Sequence, residues 1–194
     1  MTQDPKACTH LAAPSIVRTK KFLCALAGSG PMIISSDFID ACLESGLIPD
    51  VETFLLNDKA NEKRFGLNLE DVIKRAQSNR GKLLKGVVVY CTSDILNGPD
   101  TYKDIVEANG ATFHVFRARG GATIKPSGPE SDEEGEPVYL LSGTKAEEKR
   151  LWPRFEKMAE QGGMEPRIVQ TEWLLDTAMA QELRWDPKYL FLTT

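Results

Sequence analysis

Residues 18–46 have the sequence RTKKFLCALAGSGPMIISSDFIDACLESG, and this stretch decides the fold. Thr19 is a good helix cap before an apolar run with helical spacing, and a Gly-Ser-Gly sequence ends that helix. The apolar residues 32–34 then predict a strand, after which a serine caps a second helix that Gly46 closes. A short buried strand at 8–13 comes before them, so the predicted order is strand, helix, strand, helix.

The second half of the chain contains the same order with a longer beginning. Residues 86–90 are apolar and β-branched, as a central parallel strand requires when helices cover both of its faces. The segments predicted after it are a helix from 100, strands at 112–116 and 138–141, a helix restarted at Pro153, a strand at 167–169 and a helix at 172–179. Thr144 and Glu147 form a capping-box pattern before the restarted helix.

These patterns predict an internal repeat in an α/β fold, with each repeat a small, mostly parallel sheet flanked by helices. Residues 1–50 form a first repeat that lacks its initial strand, helix and strand. Residues 51–81 form a linker with a short helix, and residues 82–194 form a complete second repeat. Within it, residues 119–137 are rich in Gly, Pro, Ser and acidic residues, which predicts a disordered acidic loop.

Composition excludes several classes of protein. The net charge of -4 argues against a broad basic face that wraps nucleic acid, and no apolar run reaches the length needed to span a bilayer. Four widely spaced cysteines and two histidines do not form a conventional zinc site. We recognise no nucleotide loop or nucleophile motif, so we expect a binding protein without metal or cofactor rather than an enzyme. The opening residues suggest no secretory or mitochondrial address, which leaves the cytosol or nucleus.

Several short motifs together resemble the BRCT repeat family. Thr9–Leu11, Arg18–Leu23 and Ile33–Phe38 are similar to the distal half of one BRCT repeat. The second half of the chain resembles a whole repeat, through Leu84–Val87, Asn109–Ala111, Ile168–Val169 and Glu172–Asp176. Residues 18–46 look most like the C-terminal BRCT pair of fungal scaffolds that act at stalled replication forks. The resemblance implies a nuclear phosphopeptide reader for damage-phosphorylated partners, such as a histone C-terminal tail.

A phosphate site is expected where the first of these helices begins. A helix N-terminus presents free N–H groups and a positive dipole end, and Lys21 lies one turn inside it. The resemblance makes Lys21 a phosphate ligand, with Thr19 beside it. It places the other expected ligands, a hydroxyl and a glycine N–H, in the part of the repeat that this chain lacks. The alternative is that Lys20 and Lys21 simply form a solvated helix face.

The resemblance also implies a peptide groove between the repeats. Arg18 is expected to grip the peptide main chain or carboxylate, oriented by Glu172 and Asp176 on the last helix. The residues expected to line the groove are Leu23, Leu175, Ile95, Leu96 and Asn97. The alternatives are that Leu23 and Leu175 belong to the interface core and that the two acids are surface residues.

Two further hypotheses remain open at this stage. The pair of repeats can instead be a phosphate-independent structural module, or can self-associate through the exposed edge of the first repeat. Phosphate dependence separates these hypotheses from the leading one. The other hypothesis is a second phosphate pocket, formed by Thr92 or Ser93 with Lys149 or Arg150.

Overall fold

A computed structural model of the chain describes Asp4 and residues 7–117, 123–125 and 135–191. Its elements confirm a mixed α/β fold with parallel sheets flanked by helices. Within these ranges, no helix is long and apolar enough to cross a membrane.

The first repeat consists of two strands, each followed by a helix. Its elements are β1 (His10–Ala13), α1 (Lys20–Ser29), β2 (Met32–Ser35) and α2 (Asp37–Ser45). The strands are parallel, with Ala12 opposite Ile34. After a 3-10 turn at Val51–Phe54, Leu55 forms an antiparallel bridge to Ile34 and so covers the outer side of β2.

The connecting segment contains two helices, α3 (Lys59–Phe65) and α4 (Leu69–Asn79). Only the second was predicted. Asp58 fixes the first, because its carboxylate caps α3 and also accepts the N–H of Ile16 at 2.8 Å. This contact ties the segment back to the first repeat. α4 packs on α1 through its apolar side.

The second repeat has the predicted order of elements. They are β3 (Val88–Cys91), α5 (Pro99–Ala108), β4 (Thr112–Val115), β5 (Pro137–Leu141), α6 (Ala146–Lys149), α7 (Trp152–Glu160), β6 (Glu165–Val169) and α8 (Thr171–Ala180). The four strands are all parallel and lie in the order β4-β3-β5-β6. A 3-10 turn at Pro187–Tyr189 follows, and Leu190 bridges to Val169 as Leu55 does to Ile34.

Most of the predicted acidic loop, 119–137, lies outside the described residues, and the described parts correct its limits. Ile124 is only 2% exposed, and its N–H donates to the carbonyl of Met158 at 3.0 Å. Pro137 is the first residue of β5. An apolar side chain and a strand residue therefore pack against the second repeat at positions that composition alone assigned to the loop.

One hydrophobic core joins the two repeats. Helix α1 lies at its centre and contacts α4, α5 and α8. Leu23 and Leu26 on α1 are fully buried in the same cluster as Ile105 on α5 and Trp173 on α8. This packing fixes the start of α1 relative to the second repeat.

The capping box before α7 differs from the predicted one. The glutamate that reaches back to the N-cap is Glu148, not Glu147, and the residue it reaches is Lys145 rather than Thr144. The reason is burial: Glu148 points into the end of the sheet, whereas Glu147 is exposed.

Candidate functional site

The start of α1 is an exposed helix N-terminus. Thr19 is its N-cap in extended conformation, and its hydroxyl oxygen accepts the N–H of Phe22 at 3.4 Å. The hydroxyl hydrogen remains available as a donor, because a threonine hydroxyl can accept and donate at once. The first turn contains no acidic side chain, so the positive end of the helix dipole is not neutralised there.

The two lysines at this point are in different situations. The Lys20 ammonium lies 2.6 Å from a carboxylate oxygen of Asp104 on α5, and this hydrogen bond raises the pKa of Lys20. Lys21 is exposed, and the structure shows no ion pair for it within the described part of the chain. Both lysines line a cleft of about 230 Å³ between α1 and α5, together with the acidic side chains of Asp4, Asp104 and Glu107. Of the two lysines in this cleft, Lys21 is thus the one without an ion pair to Asp104.

Asp104 contributes one of the negative charges of this cleft. We expect Asp104→Asn to strengthen binding of a phosphorylated peptide by about 2- to 5-fold, because it removes a negative charge and releases Lys20. Titrations at low and high salt test this, and the gain should shrink at high salt because the groups are exposed. Glu70→Gln is the matched control, since it makes the same charge change on α4, where the carboxylate pairs with Lys74. Equal effects of both variants would contradict a local role of Asp104.

Arg18 bridges the two repeats. Its guanidinium donates to a carboxylate oxygen of Asp176 on α8 at 2.7 Å. The Tyr189 hydroxyl donates to the other oxygen of Asp176, also at 2.7 Å. Burial and this hydrogen bond raise the pKa of Tyr189 to about 12. The Arg18 guanidinium also lies over the ring of Phe65, 5.5 Å from its centroid.

Two acids were expected to orient Arg18, and the structure shows this contact for one of them. Asp176 contacts Arg18, whereas the Glu172 carboxylate is exposed and accepts the Thr171 hydroxyl at 3.2 Å. Phe65 and Tyr189, which hold the arginine and its acid, were not predicted. Phe65 ends α3 in the connecting segment and Tyr189 lies in the 3-10 turn after α8, so their proximity depends on tertiary packing.

The predicted groove residues do not share one surface. Leu23 is fully buried and belongs to the core between the repeats, and Leu175 packs against that core. Ile95 is buried and Leu96 is 71% exposed. Asn97 has a φ of +68° and accepts the Thr101 hydroxyl through its carbonyl.

Ile95, Leu96 and Glu172 line a second cleft of about 460 Å³. It lies at the carboxyl ends of β5 and β6 and includes Gly143, Lys145 and Glu148. Lys21 lines the first cleft instead. The structure therefore separates the predicted phosphate ligand from part of the predicted peptide surface.

Comparisons with known proteins agree with this architecture. A family model described as Regulator of Ty1 transposition protein 107 BRCT domain matches residues 1–56. BRCT-containing protein 1 of Schizosaccharomyces pombe is 35% identical over 190 residues, which is 94% of this chain and 21% of that protein. The chain thus spans about a fifth of the length of this relative.

Solved structures extend the comparison. The crystal structure of S. pombe Brc1 BRCT5-BRCT6 domains has a TM-score of 0.70 and 34% identity, and covers 93% of this chain and 82% of that one. The complex of Rtt107p with a phosphorylated histone has a TM-score of 0.69 at 19% identity, covering 99% of this chain and 79% of that one, and shows the shared fold.

Two packed α/β repeats joined through α1, with an arginine bridging them, define the class as a tandem repeat module. The chain belongs to the tandem BRCT family. Within that family it resembles the fungal DNA-damage scaffolds.

Proposed function

We propose that this chain binds a phosphorylated peptide at the start of α1 and thereby recruits a nuclear genome-maintenance scaffold to damage-phosphorylated partners. The observation that carries the proposal is the position of Lys21. It is an exposed cation in the first turn of a capped helix, close in sequence to an arginine that Asp176 holds across the repeat interface. No catalysis is part of the proposal.

The chemistry of the site suits a phosphoserine. A phosphate brings nearly two negative charges and three acceptor oxygens, so it needs a cation and several donors. Lys21 supplies the charge, the first-turn N–H groups and the Thr19 hydroxyl supply donors, and the dipole of α1 has its positive end there. Arg18 presents a planar guanidinium that suits a peptide carboxylate or carbonyl.

A phosphorylated histone C-terminal tail is the partner we propose. The support is that Rtt107p, which shares the fold, has a solved structure in complex with a phosphorylated histone. A C-terminal tail ends in a carboxylate, which Arg18 is suited to receive.

Fluorescence-polarisation titration tests this function. The chain is titrated against a histone-tail peptide in phosphorylated and unphosphorylated forms. Binding to the phosphopeptide alone supports the proposal. Equal binding of both peptides, or of neither, would reject it for this chain.

A second candidate is association with another copy of the chain. Leu43, Leu47 and Ile48, on and after α2, are 78%, 72% and 87% exposed. In the second repeat the corresponding helix α8 packs on α5 and has fully buried Leu174 and Ala178. Within the described residues, β1 pairs only with β2. A twofold pairing through the apolar side of α2 would cover these side chains with the identical surface of a second copy.

Leu43→Asp is expected to abolish such association, because it places a charge in the apolar contact. Analytical ultracentrifugation over a wide concentration range measures it. Glu44→Gln, on the same helix turn and also exposed, is the control that should leave the association unchanged. A wild-type chain that stays monomeric at every concentration would exclude this candidate.

A further inference from the structure

A carboxylate is buried at the end of the second sheet. Glu148 is 1% exposed, and its carboxylate accepts the Thr92 hydroxyl at 2.6 Å and the Gly143 N–H at 2.8 Å. It also accepts the N–H of Lys145 at 3.3 Å. An ionised carboxylate out of water is costly unless donors surround it, and here a hydroxyl and two backbone amides do so.

This location corresponds to the proposed phosphate site of the first repeat. β1 and β2 pair in parallel as β5 and β6 do, and the outer strand of each pair has an antiparallel bridge, to Leu55 or to Leu190. In the first repeat, the residues after β1 lead to Thr19 and α1. In the second repeat, the residues after β5 lead to Lys145 and Glu148. By element order, the carboxylate therefore follows the strand that corresponds to β1, as the start of α1 does in the first repeat.

The surroundings of the carboxylate are shaped for an oxyanion. Thr92 follows β3 and is fully buried, so its hydroxyl is fixed by its neighbours. A Cβ on Gly143 would lie 2.5 Å from a Glu148 oxygen, so a larger residue at this position would require the carboxylate to shift. Burial, with the Glu148 charge as a second cause, raises the pKa of the Cys91 thiol to about 12. The cleft of about 460 Å³ opens beside the carboxylate.

We propose that the second repeat contains an oxyanion site that its own Glu148 fills, and that Glu148 thereby restricts phosphate binding to the first repeat. The oxyanion site does not depend on the proposed function, whereas the restriction of phosphate binding to the first repeat rests on it. This site also argues against the hypothesis of a second phosphate pocket at Thr92 with Lys149 or Arg150. A phosphate that approached Thr92 would meet a carboxylate already bonded to it.

Chemical rescue of Glu148→Ala tests the proposal. The variant should unfold at a lower temperature than the wild type, because three donors lose their acceptor. Formate, acetate or inorganic phosphate should then raise its Tm more than chloride does at equal ionic strength. At an anion concentration about ten times its Kd, the expected rise is about 4 °C. Glu147→Ala, an exposed neighbour, should show neither the loss nor the rescue.

Two double variants test where the rescuing anion binds. Adding Thr92→Val should abolish it, because the hydroxyl donor is lost. Adding Lys21→Ala should leave it intact, so a failed phosphopeptide site in the first repeat would not affect this test. If Glu148→Ala does not fold in chloride, the yield of folded protein in acetate or phosphate replaces Tm as the readout.

The outcomes are distinct. Equal anion effects on Glu148→Ala and the wild type, or no recovery of folding in any anion, would overturn the site. Rescue by formate and acetate but not by phosphate would overturn the restriction, because the cavity would then not admit a phosphate.

Discussion

Lys21→Ala is expected to weaken phosphopeptide binding by about 10- to 100-fold, while leaving the fold intact. The side chain is exposed and, within the described residues, has no ion pair, so its removal costs the folded protein little. A hydrogen bond between charged groups contributes about 1.5–3 kcal/mol, and each 1.4 kcal/mol is about tenfold in affinity. Fluorescence polarisation with the phosphorylated peptide measures the loss.

Lys20→Ala is the matched control for this prediction. The two lysines are adjacent, equal in charge and both exposed, but Asp104 holds Lys20. Its removal also leaves Asp104 unpaired in the cleft, which should cost no more than about threefold in affinity. If both variants lose affinity equally, the lysines act as a diffuse charged face, and Lys21 is not a specific ligand.

The start of α1 was predictable because its determinants are local. A threonine cap, an apolar run with helical spacing and a following glycine lie within a dozen residues, and each acts through its neighbours in the chain. The ion pair of Lys20 was not predictable. Asp104 lies on α5, and only the packing of the two repeats brings it to the cleft.

The bridge between Arg18 and Asp176 was expected only through the family resemblance. Nothing in the pattern around either residue specifies the other. The assignment of Glu172 to the same arginine failed for a physical reason. Glu172 lies one turn earlier on α8, where it lines the second cleft.

Burial explains the other differences. An apolar residue in a helix can line a groove or fill a core, and helical spacing does not distinguish the two for Leu23. A glutamate near the start of a helix can cap it either from the solvent side or from the buried side. The sequence pattern favoured Glu147. Glu148 is the capping residue instead, because at the end of the sheet the Thr92 hydroxyl and the Gly143 N–H donate to its carboxylate.

Leu23→Ala is expected to lower the free energy of unfolding by about 2–5 kcal/mol, because it leaves a cavity in the core that joins the repeats. Leu23 is fully buried on α1, between helices of both repeats. Urea unfolding followed by tryptophan fluorescence measures the change, and Trp173 in the same core reports on it.

Leu96→Ala separates the core role from a groove role. Leu96 is 71% exposed, so its truncation should change stability by less than about 0.5 kcal/mol. Under conditions in which Leu23→Ala is fully folded, its affinity for the phosphopeptide should stay near that of the wild type. A core residue affects binding by changing the fraction of the chain that is folded. A stable Leu23→Ala chain with weakened binding would show instead that the side chain reaches the peptide, and that the helices around α1 separate enough to admit it.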